Sequence, residues 1–594
     1  MAIINHHLDF GRYYAHLVDV RMTFVAPCDA PTLWLPTWIA GSYLIREFSK
    51  HITTVYYDKD GTQRAIKTDK NHYVLENVKS GDEVVVHYEV YCHDLSVRTA
   101  FVDDGRIFGN FTSLLLMVQG LEQAPCQIDM TIPKRFLAKN PNTILASGLK
   151  HTQHRDDEGL RIEFESLPAF ECYDYPFEIG RQAFFKFGVK CGDTFINHRF
   201  FIAGLHSTAL TRLSQDVQKI CQAYVDWLGD TPFDEYTFMT MVTGSEYGGL
   251  EHINSTALIT PRSDLPTALD EHTEVPNEHY QRFLGLCSHE YFHAWWVKSV
   301  RPDVMITSDL QHEAYTPLLW VFEGFTSYID DLMLLKSGVI DNSSYFKLLQ
   351  NQINRYLQTD GKKHQSVAES SFDTWIKLYR PDENTTNQSV SYYNKGALVA
   401  LCLDLTLLKH SDGRHRLFDV VLAFYQKSQQ ADNRRFGITT QTLGEVIAGM
   451  VGDEVWQDFY EKYVIGVHPL PVLEMLAEFG LVFVKKSQQK IWGMDTKEGE
   501  GGLTITHLHR EGMASRAGLS VGDVLVAVNG IKASKDVIVQ AHQLQGFDHY
   551  AVIVHAFRRD ELRVFEVIDE NVVCHEQLTG WLYDTTNKQQ GWLF

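Results

Sequence analysis

The sequence predicts a multidomain α+β protein, with an antiparallel β domain first, a mostly α middle and a small β-rich module last. Three observations predict this. The chain has 594 residues, more than one hydrophobic core accommodates. Its apolar pattern changes period twice. Its hydrophobic fraction of 44% and charged fraction of 22% are ordinary for folded proteins.

The first domain, residues 1–204, rests on short β-branched and aromatic runs broken by Gly, Asp and Asn. HLVDVRMTFVA, HITTVYY, EVVVHYEVY, FFKFGVKCG and RFFIAG are examples. From Ser207 the period lengthens. Leu210, Leu213, Val217, Ile220, Tyr224 and Leu228 recur at three- and four-residue steps, as on one helix face. A strand-like YTFMTMV, a GSEYGG loop and a strand-like LEHINSTALI follow. Helices are expected near 277–298, near 318–336 and from Asn394. Residues 205–411 form the second domain, with a helical continuation over 412–478. In the last part IWGM, GGLTITHL, DVLVAVNG and YAVIVHAF read as strands around one helical piece, AHQLQG. This sets a module at 479–575 and a tail at 576–594.

A net charge of -21 argues against nucleic acid and anionic membranes as partners, since both call for basic patches. The nine cysteines stand singly, with no CxxC pair, which suggests reduced thiols and a cytoplasmic setting. MAIINHHLDFGRYYAH lacks the basic-then-apolar pattern of a secretory signal, and no apolar run has membrane-spanning length.

The chemistry concentrates in the middle. His289-Glu290-Tyr291-Phe292-His293 fits HExxH. On a helix the two imidazoles lie one turn apart on one side and can reach one metal. Neutral imidazole suits zinc, and Glu290 projects to where a water would bind. On the order of 0.07 chance matches are expected in such a chain, so context decides. Thirty positions on stands WVFEGFTSY, whose Glu323 can complete a two-His, one-Glu site with a fourth position for water. A carboxylate among Leu318, Leu319, Trp320, Val321 and Phe322 would be costly without a cation, and zinc supplies that charge.

HEYFHAWW followed by WVFEGFTSY resembles the gluzincin peptidases. Across nearly the whole chain it resembles the glycyl aminopeptidase family, whose members carry a C-terminal PDZ domain. LPTWIAGSYLIREF is similar to that family's Pro-Gly-Ser-Tyr segment, with Ala40 where proline is usual. The resemblance implies a thermolysin-like, mostly α catalytic domain and one Zn2+ per chain.

Gly248-Gly249-Leu250-Glu251-His252 looks like the Gly-x-Met-Glu-Asn strand of alanyl and leucyl aminopeptidases. That likeness implies that Glu251 binds the free substrate amine, while the glycines let a substrate backbone approach. The alternative is a tight turn with a surface acid. Tyr393 in YYNKGA is similar to the tyrosine that stabilises the oxyanion in those enzymes; Tyr392 competes, and either could be a packed aromatic. Asp330, seven residues after Glu323, is either a hydrogen-bond partner of a ligand histidine or a solvated acid.

GGLTIT, ASRAGL and GDVLVAVNG, in that order, resemble a PDZ domain. Trp492 and Gly493, in IWGM, are the candidates for the loop that receives a peptide terminus. Binding and packing are both open for this module. The expected function is a zinc-dependent aminopeptidase acting on peptides, with small first residues (Gly or Ala) implied by the family. An endopeptidase with the same chemistry is one alternative. A PDZ peptide-binding protein with a vestigial zinc site is the other. Oligomeric state is open.

Overall fold

The computed structural model describes residues 3–58, 62–431, 434–489, 491–548, 551–568, 574–584 and 590–593. They form two compact bodies. The first holds residues up to Thr316, Ile329–Tyr345 and Asp419–Thr442. The second holds Pro317–Tyr328, Phe346–Phe418 and the chain from Leu443 onward.

In the first body, nine strands make a sheet in which Leu17–Val25 lies between Ile4–Asp9 and Glu83–Tyr91. Its strands alternate buried and exposed residues, as a sheet with one face on a core requires. Most pairs are antiparallel, but Ile4–Asp9 runs parallel to Pro125–Pro133, a pairing of segments remote in sequence. A second, eight-stranded sheet continues across residue 204. Pro176–Cys191 and Thr194–Ala203 form a long hairpin, and the latter pairs in parallel with Glu235–Thr243.

The segment LEHINSTALI, expected as one strand, is a hairpin. Gly248–Glu251 pairs antiparallel with Ser255–Pro261, and the chain reverses at His252, whose N–H donates to the Ser255 carbonyl. Gly248–Glu251 is the edge of this sheet. The amphipathic helix Leu210–Leu228 packs on Pro176–Cys191 and on the helix Glu278–Phe292. The latter starts at an Asn277 cap, whose side chain accepts from the Tyr280 N–H. It ends well before residue 298, because tight turns at Ala294 to Trp296 lead into Val297 at φ 140°.

In the second body, the helix Asn394–His410 is buried on nearly all sides. The expected helix near 318–336 begins instead with a π-turn, Trp320–Gly324, which leads into the α-helix Phe325–Lys336. Gly324 and Gly396 bring this π-turn and the start of Asn394–His410 into backbone contact. A Cβ on Gly324 would lie 2.7 Å from the Gly396 carbonyl carbon. The C-terminal module has the strand order Met494–Gly499, Gly502–Leu508, Val524–Val528, Val552–Arg558, Glu561–Val567, with Lys535–Asp548 as its helix. Tyr550, expected at the start of one strand, lies outside the described residues. The stretch 576–594, expected as a tail, carries most of the strand Cys574–Tyr583, which pairs with Leu481–Gln489. Among the described residues no helix is long and apolar enough to cross a membrane.

Candidate active site

Within the first body, the helix Glu278–Phe292 delivers His289 and Glu290, and the next residue, His293, stacks its ring edge-on to His289 at 4.6 Å. The Nδ1 of His289 donates to Asp330 Oδ2 at 2.8 Å, and that of His293 donates to the Trp296 carbonyl at 2.9 Å. Both rings are thereby fixed as the tautomer whose Nε2 carries a lone pair, the arrangement of a metal ligand. The same turn is also held by the Ser288 hydroxyl, which donates to the Asp330 carbonyl.

The edge strand Gly248–Glu251 lies against this helix. A Cβ on Gly249 would sit 2.2 Å from Glu290 Oε1, so a larger residue there would displace that carboxylate. Glu251 closes the strand at 3% exposure, with its Oε1 buried and without a hydrogen-bond partner among the described residues. Glu251, Glu290 and His293 each bring a ligand atom within 4.8 Å of the others. Two buried carboxylates so close together call for a cation, either a metal or an ammonium. The two imidazoles, with Nε2 atoms turned away from their Nδ1 partners, offer donors that suit zinc beside these carboxylates.

The strand's position depends on residues that the motifs did not reveal. Arg98 donates to the Gly249 carbonyl at 3.0 Å from the N-terminal part of the chain. His252, next to Glu251, bonds Asp174, which also takes the Lys298 ammonium at 2.7 Å. Burial pushes the Asp174 carboxyl up, and Lys298 with His252 more than offset it, leaving it well below the usual carboxylate range. No local pattern in the sequence joins positions 98, 174, 252 and 298.

In the second body, Glu323 sits in the π-turn at 2% exposure, among Trp320, Val321 and Phe322. Single π-turns often mark functional positions. Tyr393 precedes the helix Asn394–His410, and its ring is stacked on Tyr392 at 4.8 Å. The two tyrosines differ. Tyr392 is fully buried with its hydroxyl 3.0 Å from Thr374 Oγ1, whereas Tyr393 is partly exposed and its hydroxyl meets that of Tyr379 at 3.2 Å. In the C-terminal module Trp492 is not an open loop residue. Its side chain lies in the module's core, its backbone is left-handed at φ 52°, and the Gly493 carbonyl accepts from the His509 N–H.

Three segments of the chain match known families. Residues 5–181 match the peptidase M61 N-terminal domain, 282–399 match M61 glycyl aminopeptidase, and 481–543 match the PDZ domain. Nothing among the curated proteins matches. Among solved structures, an aminopeptidase N family protein from Idiomarina loihiensis is 33% identical, with a TM-score of 0.86 and 100% of both chains covered. An M1 zinc metallopeptidase from Deinococcus radiodurans is 16% identical at a TM-score of 0.48, covering 79% of this chain and 95% of that one. On its three matched segments and its full-length relative, this chain belongs to the M61 glycyl aminopeptidase family and is a metallopeptidase with a C-terminal PDZ domain.

Proposed function

We propose that this protein is a zinc-dependent aminopeptidase that removes residues from the free amino ends of peptides. Its zinc ligands are His289, His293 and Glu323, for one ion per chain. The observation that carries this reading is the pair of Nδ1 contacts, His289 to Asp330 and His293 to the Trp296 carbonyl, which turn both Nε2 atoms to one task. In the sequence Asp330 follows Glu323 by seven residues, the spacing of one helical face, which supports Glu323 as the third ligand.

Zinc bound there would polarise the scissile carbonyl and lower the pKa of the attacking water. Glu290 takes the proton from that water and passes it to the leaving amine. Tyr393 donates its hydroxyl to the oxygen on which charge develops, and the burial of Tyr392 makes it the weaker candidate. Glu251 receives the substrate's ammonium through charge-assisted hydrogen bonds, so the first peptide bond is the one presented for attack. Gly248 and Gly249 let the substrate backbone lie along the edge strand.

The family supports Gly or Ala as first residues. At the PDZ domain, peptide or protein C-termini would add to the edge strand Met494–Gly499. With the Trp492 side chain in the core, the terminal carboxylate would be met by backbone near Gly493. The scattered single cysteines support a cytoplasmic setting.

The test is mass spectrometry of a diverse peptide library, with and without chelator, against wild type and Glu290→Gln. Stepwise loss of first residues is expected from free peptides and none from N-acetylated ones. The Glu290→Gln protein should keep its zinc and lose about 10²–10⁴-fold in rate. Equal cleavage of acetylated peptides would make the enzyme an endopeptidase. Bound zinc with no cleavage of any peptide would leave a PDZ binding protein.

A further inference from the structure

A cavity of about 90 Å³ in the first body adjoins the proposed amine anchor. One wall is the backbone of Ile39-Ala40-Gly41, part of the WIAGSY segment to which the hydrolytic reading gives no task. Gly41, at φ 93°, is the contact with the anchor. Any Cβ there would meet the Glu251 carboxylate oxygens at 2.4 and 2.5 Å. The volume suits a short side chain rather than a large aromatic one.

The charges lining this cavity do not cancel. Lys298 and Asp174 hold each other at 2.7 Å. Arg301 and Arg435 remain against one further acid, Glu171. Arg301 gives one guanidinium nitrogen to the Lys298 carbonyl, while its Nε is buried with no partner among the described residues. Arg435 has no hydrogen bond or ion pair among the described residues. Loss of solvent, followed by repulsion from Arg435, pulls Arg301 down to about 10 from the ordinary arginine value. Asp174 and Glu251 act on Arg301 in the opposite sense, and the two guanidinium groups lining one cavity offer planar donors that suit an anion.

Resting on the aminopeptidase reading, we infer that this cavity is the subsite for the first residue's side chain, and that Arg301 and Arg435 select a carboxylate there. Gly and Ala leave the cavity to water and are accepted without it. Asp and Glu place their carboxylates against the arginine pair while Glu251 holds the adjacent ammonium. Their neutral isosteres Asn and Gln fill the same volume but bring the guanidinium groups no additional negative charge. The planar forks suit two-point contact with a carboxylate.

The experiment compares kcat/KM of the zinc-loaded full-length enzyme on five reporter peptides that differ only in the first residue: Asp, Asn, Glu, Gln and Ala. Asp over Asn and Glu over Gln should each reach about tenfold, the ratio from one desolvated charge-assisted contact. In Arg435→Gln both ratios should fall toward one. In Arg435→Glu they should invert, with a Lys-first peptide gaining. Circular dichroism and zinc content report whether each variant is folded. Ratios near one in the wild type, with Ala-first peptide hydrolysed, overturn this inference alone. Ratios unchanged in both Arg435 variants overturn it as well. Failure to hydrolyse any free-amine peptide, Ala-first included, overturns the aminopeptidase reading beneath it.

Discussion

At the scale of single residues, the site is a set of side chains whose second atoms are already committed. His289 has its Nδ1 on Asp330 and His293 has its Nδ1 on a backbone carbonyl, so the two imidazoles differ in what can be removed. The carbonyl under His293 survives any substitution; the carboxylate under His289 does not. Asp330→Asn keeps the shape but removes the negative charge that strengthens the imidazole as a donor. Zinc affinity should weaken about 10–100-fold. Titration against a competing chelator measures this directly, and unchanged affinity would show that Asp330 only caps the helix turn.

At the scale of elements, glycines set the distances. Alanine at an exposed helical glycine ordinarily stabilises by about 1 kcal/mol. Gly324 should show the opposite sign. Its Cβ would lie 2.7 Å from the Gly396 carbonyl carbon and 3.0 Å from the Tyr392 carbonyl oxygen, so the π-turn and the helix Asn394–His410 must part. Gly324→Ala is therefore expected to cost about 1–3 kcal/mol. The denaturation midpoint should fall, and activity with it, because Glu323 and Tyr393 ride on these two elements. A rise in stability would mean that the backbone contact is loose.

The same elements show what was legible in the sequence. The helix that carries His289 and Glu290 was legible because its apolar residues recur with helical spacing; the π-turn that carries Glu323 was not, because its local sequence reads as ordinary α-helix. The buried helix at Asn394 was legible from its unbroken apolar run. The reversal at His252 was not, because His-Ile-Asn carries neither Gly nor Pro and both arms are apolar. The sheet that runs across residue 204 was missed because parallel pairing joins strands separated by a whole helix. Trp492 looked like a loop residue because its left-handed backbone is flanked by Gly493, while its side chain fills a core that later strands build. Arg98 reaches Gly249, and Arg301 and Arg435 line one cavity, only through folding, and single charged residues carry no spacing signal.

At the scale of the whole molecule, the balance of charge makes the metal part of stability as well as of catalysis. The chain carries a net charge of -21, and Glu251, Glu290 and Glu323 of the proposed centre are among its buried carboxylates. Without a cation these carboxylates must stay ionised in a dry site or take up protons, and either route destabilises the native state. An ion that binds the native chain and not the unfolded one adds about 4 kcal/mol when its free concentration is 1,000 times Kd. Removing zinc with a chelator should therefore lower Tm by several degrees and abolish hydrolysis, and stoichiometric zinc should restore both. In Glu290→Gln, with one buried charge gone, the metal-free protein should melt higher than metal-free wild type. A Tm that ignores the chelator while hydrolysis is lost would mean that the buried carboxylates are neutralised by other means, and that zinc serves the chemistry alone.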